Sequence, residues 1–352
     1  MSVAELNSNR VQWLDFARGA SILLVVMFHV SIACEPYECV HRYYWELNNF
    51  LAPIRMPVFF AVSGLLSRKA LDMSWAGVLD KRVLGFIYIF LLWSAIALLF
   101  REKPAAGIGQ YISDLFESTY NPSSVLWFIW ALAIYNAIAK IGKGASQDMF
   151  LVAAVVVSVI SYSEVVVFEN YVHNNLLRYF PFFLLGVYRP EWFTRLSGLA
   201  YSRLLPVLCV VFVLGFMVLR EGVLPPVLQN VAAFLQAVLG VTVGAGVSAW
   251  ACRFKALKVV PSFLGRHTLP IYVAHSLLIS LLLWIFAGSA IQTQGAELWA
   301  VPVTALAAIA LSILLERFLS RVGLGWIYNR PAWLSTGSLR SAVRASSARG
   351  KP

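Results

Sequence analysis

Charged side chains are scarce. Only 13% of the 352 residues are Asp, Glu, Lys or Arg, about half the share in a soluble domain. With 60% hydrophobic residues, a soluble chain of this size would have too little polar surface to cover itself. The length of the apolar runs excludes a large soluble α/β enzyme with buried strands. Basic runs interleaved with exposed aromatics are missing, which argues against nucleic acid as a partner. No A-x-A site follows the first apolar stretch, and Asp15 and Arg18 lie inside it, so it is not read as a cleavable signal peptide. Low-complexity linkers and internal repeats are absent too.

Four cysteines leave little room for thiol chemistry. Cys209 and Cys252 fall in or beside apolar runs and read as reduced packing residues. Cys34 and Cys39 bracket the hexapeptide CEPYEC, where an oxidising compartment would permit a disulfide. No C-x-x-C or H-x-x-H spacing supports a metal site. No H-E-x-x-H zinc helix occurs. Mid-span carboxylates are nearly absent, Asp15 being the clear case, which speaks against a proton pump. The G-x-x-x-G-x-G of residues 240–246 lacks a following Lys-Ser/Thr and a preceding strand, so it reads as helix packing and not as a phosphate loop.

What is present is a series of runs near the length needed to cross the hydrocarbon core as helix. Ten are predicted: 11–33, 49–67, 83–100, 124–141, 149–168, 172–189, 203–220, 226–250, 268–287 and 298–319. Asn174, Asn175, Arg178 and Pro181 interrupt the sixth. The expected fold is an all-α polytopic membrane protein, with one integral domain over 1–330 and a Ser/Arg-rich cytoplasmic tail, without fixed structure, over 331–352. With the N-terminus placed inside, inner segments hold twenty Lys and Arg and outer loops four. That asymmetry predicts cytoplasmic termini and accounts for the net charge of +11.

Four arginines remain at membrane depth: Arg18, Arg55, Arg178 and Arg317. Arg317 sits beside Glu316 near the inner end of the tenth run and can snorkel. The others need a reason, because ionisable groups in spans are costly and usually face a bundle interior or a wet cavity. Eleven residues at 100° each return to within about 20° of the start, so Arg18 and His29 share a helix face, roughly 16 Å apart along the axis. Asp15, three residues before Arg18, is placed to pair with it. Arg55 lies at about the depth of His29. Ser63 and Gly64 suit interhelical bonding and close approach. Trp127 and Trp130 have the character of interface anchors. His275 falls near mid-membrane, one turn after Tyr272. A buried Asp–Arg pair and a histidine satisfied by a carbonyl would explain each feature singly. Together they form a His-plus-Arg set suited to deprotonating a hydroxyl and stabilising negative charge.

The stretch LDFARGASILLVVMFH resembles the R-x10-H signature of the family 3 membrane acyltransferases. FFAVSG looks like that family's second-span element, and LWFIWAL, PFFLLG and LGRHTLPIYVAH resemble features of its fourth, sixth and ninth spans. The resemblance runs from residue 13 to about 280. It implies about ten helices in the cytoplasmic (inner) membrane. It also implies transfer of an acyl group, usually acetyl, from cytoplasmic acyl-CoA to a carbohydrate hydroxyl (O-acetylation). His29 would be the catalytic residue, with Arg18 in donor binding or transition-state support. Asp15, Arg55, Ser63, Trp127, Arg178, Tyr272 and His275 are the supporting or substrate-binding candidates, and no metal is expected. No extracytoplasmic hydrolase-like domain is seen. The expected routes are therefore action alone, a separate extracytoplasmic partner, or a lipid-linked or small acceptor in contact with membrane lipid. The same polar stripe would also suit a transporter or flippase for glycans or acylated small molecules.

Overall fold

The computed structural model describes residues 3–101, 107–122, 124–162, 168–286 and 296–335. Among them every element is helical. The helices in chain order are α1 (Val3–Cys34), α2 (Arg42–Ser67), α3 (Trp75–Val78), α4 (Leu84–Leu99), α5 (Ile108–Tyr120), α6 (Trp127–Gly144) and α7 (Gln147–Tyr162). They continue as α8 (Tyr171–Tyr188), α9 (Pro190–Gly198), α10 (Leu204–Glu221), α11 (Pro226–Ala251), α12 (Lys255–Arg266), α13 (Thr268–Phe286) and α14 (Ala300–Arg321). The protein is an all-α polytopic membrane protein.

Among the described residues, seven helical segments are long and apolar enough to cross a bilayer unaided: Gln12–Tyr37, Arg42–Asp72, Trp75–Leu99, Leu204–Glu221, Pro226–Ala251, Thr268–Phe286 and Ala300–Arg321. The other three predicted spans fall on real helices, α6, α7 and α8. Each has a local reason for weaker apolar character. The first carries Asn136, Lys140 and Lys143, the second has 16 residues, and the third carries His173, Asn174, Asn175 and Arg178. Residues 163–167 of the fifth predicted span lie outside the described residues, as does most of the 331–352 tail.

Segments expected to be connections turn out helical. α5 fills most of 101–123, with Ile108, Ile112, Phe116 and Tyr120 exposed along one stripe at four-residue spacing. α12 fills the basic stretch 253–266. Both have amphipathic periodicity, which forms a helix without the continuous run that marks a span.

Two compact units share the chain. The first comprises residues 1–66 and 147–313, and the second 67–146 and 314–352. In the first, glycines bring helices to backbone contact. A Cβ on Gly19 would overlap the carbonyl of Pro261, and one on Gly265 would overlap that of Asp15, so α1 and α12 interlock reciprocally. Gly64 and Gly186 do the same for α2 and α8, against the carbonyls of Phe183 and Ala61. Gly240 of α11 sits on the carbonyl of Pro53, within α2, a helix that also contains Pro57. The packing expected of Gly64 and of residues 240–246 is therefore present. Cys34 and Cys39 are buried with free thiols, and Cys39 Sγ donates to the Cys34 carbonyl at 3.4 Å. Burial holds the Cys39 thiol above the ordinary thiol range, which keeps it protonated and slow to react.

The second unit is tied by side chains bonding to backbone. Trp93 Nε1 donates to the Ile327 carbonyl at 3.1 Å, Tyr111 donates to Ala95 at 2.8 Å, and Lys140 Nζ donates to Leu71 and Met73, each at 2.7 Å. Arg330 grips Asp80 twice, at the carbonyl (2.6 Å) and at Oδ1 (2.8 Å). The two side chains are only 12% and 16% exposed, so their bonds are poorly replaced by water. Asp80→Asn is expected to lower stability by about 1.5–3 kcal/mol, the value of a hydrogen bond to a charged group. Thermal unfolding of detergent-purified protein checks it.

Candidate functional site

α1 is one unbroken helix through Asp15, Arg18 and His29, so the three residues share a face as their spacing predicts. At one end, Arg18 Nη1 lies 3.9 Å from Asp15 Oδ1, with both side chains partly accessible. The pair is loose, which leaves the guanidinium free to take a second anion. The Gly19–Gly265 contact presses α12 against this end. Lys258 from that helix donates to Gln12 Oε1 at 3.2 Å, one turn before Asp15. The amphipathic α12 thus brings a second cation alongside the Arg18 turn.

At the other end, the His29 ring lies 5.2 Å from that of His275, tilted by 48°. His29 is partly exposed, and His275 is fully buried. His275 Nδ1 sits 2.7 Å from the Tyr272 carbonyl and 3.2 Å from that of Ile271. Carbonyls only accept, so Nδ1 carries the proton and Nε2 is a bare acceptor. Among the described residues, Nε2 has no hydrogen-bond partner.

Arg55 joins this end from α2. Its guanidinium carbon lies 4.2 Å from the centre of the Phe28 ring, adjacent in sequence to His29. Nη1 donates weakly to Asn48 Oδ1 at 3.4 Å, Asn48 Nδ2 donates to Ser31 Oγ at 3.2 Å, and Ser31 Oγ donates to the Met27 carbonyl at 3.0 Å. Arg55 is 7% exposed, and among the described residues no carboxylate forms an ion pair with it. A buried guanidinium held by a ring face and a neutral amide retains most of its positive field.

Of the remaining candidates in this unit, Tyr272 is gathered here, and Arg178 and Ser63 are not. Arg178 donates through Nε and Nη2 to the Ser161 carbonyl, at 3.2 and 3.1 Å, and lies over Tyr162, so it caps the end of α7. Ser63 is partly exposed beside the Gly64 contact. Tyr272 shapes the site through its carbonyl, and its ring lies 5.9 Å from His275. Trp127 belongs to the second unit and is buried, while Trp130 Nε1 donates to the Thr119 carbonyl at 2.9 Å.

Phe28, Ser31 and Asn48, and Tyr179, which lies close enough to Arg55 to interact with it electrostatically, are among the contributors that sequence reasoning missed. Asn48 had a usable signal. It precedes Arg55 by seven residues, two helical turns on the same face, but the predicted span opened at residue 49, whereas α2 opens at Arg42.

Comparison with known proteins bears on what this arrangement belongs to. A relative in Escherichia coli (strain K12), "Inner membrane protein YcfT", is 25% identical over 200 residues, covering 50% of this chain and 55% of its own length. The chain thus spans about half the length of that relative. No solved structure gives a significant match. A family model described as "Acyltransferase domain" matches residues 11–317, from within α1 to the last turns of α14 and across every motif above. The chain belongs to the family 3 acyltransferases.

Proposed function

We propose that this membrane acyltransferase moves an acyl group, acetyl in the simplest case, from cytoplasmic acyl-CoA to a hydroxyl on a glycan, a lipid-linked sugar or a small acceptor. The observation that carries the reading is the juxtaposition of a partly exposed histidine, His29, with a buried cation, Arg55, that pairs with no carboxylate among the described residues. His29 removes the proton of the acceptor hydroxyl as its oxygen attacks the thioester carbonyl. Arg55 stabilises the oxyanion of the tetrahedral intermediate. Collapse breaks the C–S bond, and the proton passes from His29 to the departing CoA sulfur. Arg18, loosely held by Asp15, together with Lys258, receives the anionic donor at the opposite end of the α1 face.

The charge asymmetry of the loops supports cytoplasmic termini, which puts that cationic end toward the CoA pool. The relative's description as an inner membrane protein supports the same membrane for this chain. A separate extracytoplasmic protein that carries the acyl group onward fits the reading equally well.

The test uses inside-out membrane vesicles from expressing cells, supplied with radiolabelled acetyl-CoA. Label entering the glycan or lipid fraction above vesicles from deletion cells is the expected result. Movement of glycan across the vesicle membrane with no acyl-CoA and no label incorporated would overturn it in favour of a flippase. A second expectation concerns Arg55→Lys, which keeps the charge but loses the planar stack on Phe28. The rate of label transfer should fall about tenfold, in keeping with a desolvated cation–π contact of about 1–2 kcal/mol.

A further inference from the structure

His275 Nε2 is a buried acceptor with no hydrogen-bond partner among the described residues. Such groups are uncommon in folded proteins and call for an explanation. Its surroundings narrow what could satisfy it. Nδ1 is committed as a donor to the Tyr272 and Ile271 carbonyls, which turns Nε2, at the far tip of the ring, away from its own backbone. The residue has no exposed surface, so its partner must lie within the protein interior. The imidazole nearest to it is that of His29.

We infer that His275 is a positioning residue. Its Nε2 accepts an N–H hydrogen bond from His29, which fixes the tautomer of His29 and leaves the other nitrogen bare toward the acceptor hydroxyl. The inference rests on the acyl-transfer reading for its consequence, though not for its geometry. A centroid separation of 5.2 Å is what two imidazoles require when facing nitrogens are about 3 Å apart, an ordinary hydrogen bond. A modest turn of the partly exposed His29 ring closes it.

Catalytic histidines are commonly oriented by a carboxylate. Here Asp15, the carboxylate on the same face of α1, is fourteen residues away, roughly 21 Å along the helix. A neutral imidazole does the orienting without adding a second ionised group beside the buried Arg55.

Two arms test this on full-length protein in lipid nanodiscs or vesicles. In the first, His275→Gln keeps an acceptor near the position of Nε2, whereas His275→Asn and His275→Ala do not. Transfer of label from acetyl-CoA to endogenous acceptors should be largely retained in the Gln variant. It should fall by about 10- to 100-fold in the other two, the usual penalty for losing an orienting partner. Equal loss in all three, as a purely structural role would give, or full activity in all three, would overturn the inference.

The second arm is nitrogen NMR of histidine-labelled protein. The expected spectrum shows His275 protonated at Nδ1 and bare at Nε2, with the Nε2 signal moving in His29→Ala. An Nε2 signal indifferent to His29 would overturn the pairing even if transfer is lost. Undiminished transfer in His29→Ala, with the signal moved, would instead sink the catalytic reading and leave the hydrogen bond standing.

Discussion

Replacing His29 with alanine is expected to lower acyl transfer by about 10²–10⁴-fold, the range contributed by a positioned general base, with no loss of folded protein. The structure separates these two outcomes. The His29 side chain is partly exposed, and the bond inferred for it is the single one to His275, so its removal leaves the α1–α13 backbone packing in place. The His275 ring keeps both of its carbonyl bonds. Label incorporated from acetyl-CoA, normalised to protein that elutes as a single species in detergent, is the measurement. A variant that elutes normally and transfers at the wild-type rate would remove His29 from the chemistry.

The opposite pattern is expected at Gly265. Gly265→Val puts a branched side chain onto the Asp15 carbonyl, where the contact is backbone and not the movable end of a side chain. No rotamer change relieves it, so α12 must leave α1. Overpacking in a tight core ordinarily costs about 1–3 kcal/mol, and here the loss extends to the whole interlocked pair, because Gly19 meets Pro261 on the same seam. Folded protein should fall to background for Gly265→Val and for Gly19→Val. Gly198→Ala, at a glycine with open space around it, should be recovered at wild-type yield. Fluorescence-detected size exclusion reads all three. Normal yield of Gly265→Val would mean that the helices tolerate separation and that the Asp15–Arg18 turn is held by other contacts.

Much of this was legible in the sequence, for reasons that differ by residue. Arg18 and His29 could be placed on one face because α1 is a single uninterrupted helix, and the 3.6-residue period does the rest. His275 stood out because an ionisable side chain in an apolar run is conspicuous. Its neighbour could not be read, since the 5.2 Å approach to His29 joins residues 246 positions apart through tertiary packing. Arg178 looked equivalent to Arg55, and only the structure shows one spent on a helix end and the other held over Phe28. Gly64 and Gly240 were marked as packing residues, but Gly19, Gly186 and Gly265 were not, although all three sit inside recognisable motifs. Their partners are carbonyls, which every residue has, so nothing in the partner sequence signals the contact. The count of spans was least legible where helices α6, α7 and α8 mix polar side chains into short apolar stretches, because burial within a bundle and immersion in lipid ask for different compositions.

The prolines of α2 carry a mechanical consequence. Pro57 has no N–H to return to the Pro53 carbonyl, and Pro53 has none to return to the carbonyl of Asn49. Arg55 lies between the two. The Pro53 oxygen, left without its usual intrahelical donor, is the one that Gly240 approaches from α11, so closely that a Cβ there would overlap it. The length of helix that carries the buried cation therefore holds fewer intrahelical backbone bonds than the rest of α2. It can flex about Arg55 without rupturing backbone bonds that a regular helix would have to give up.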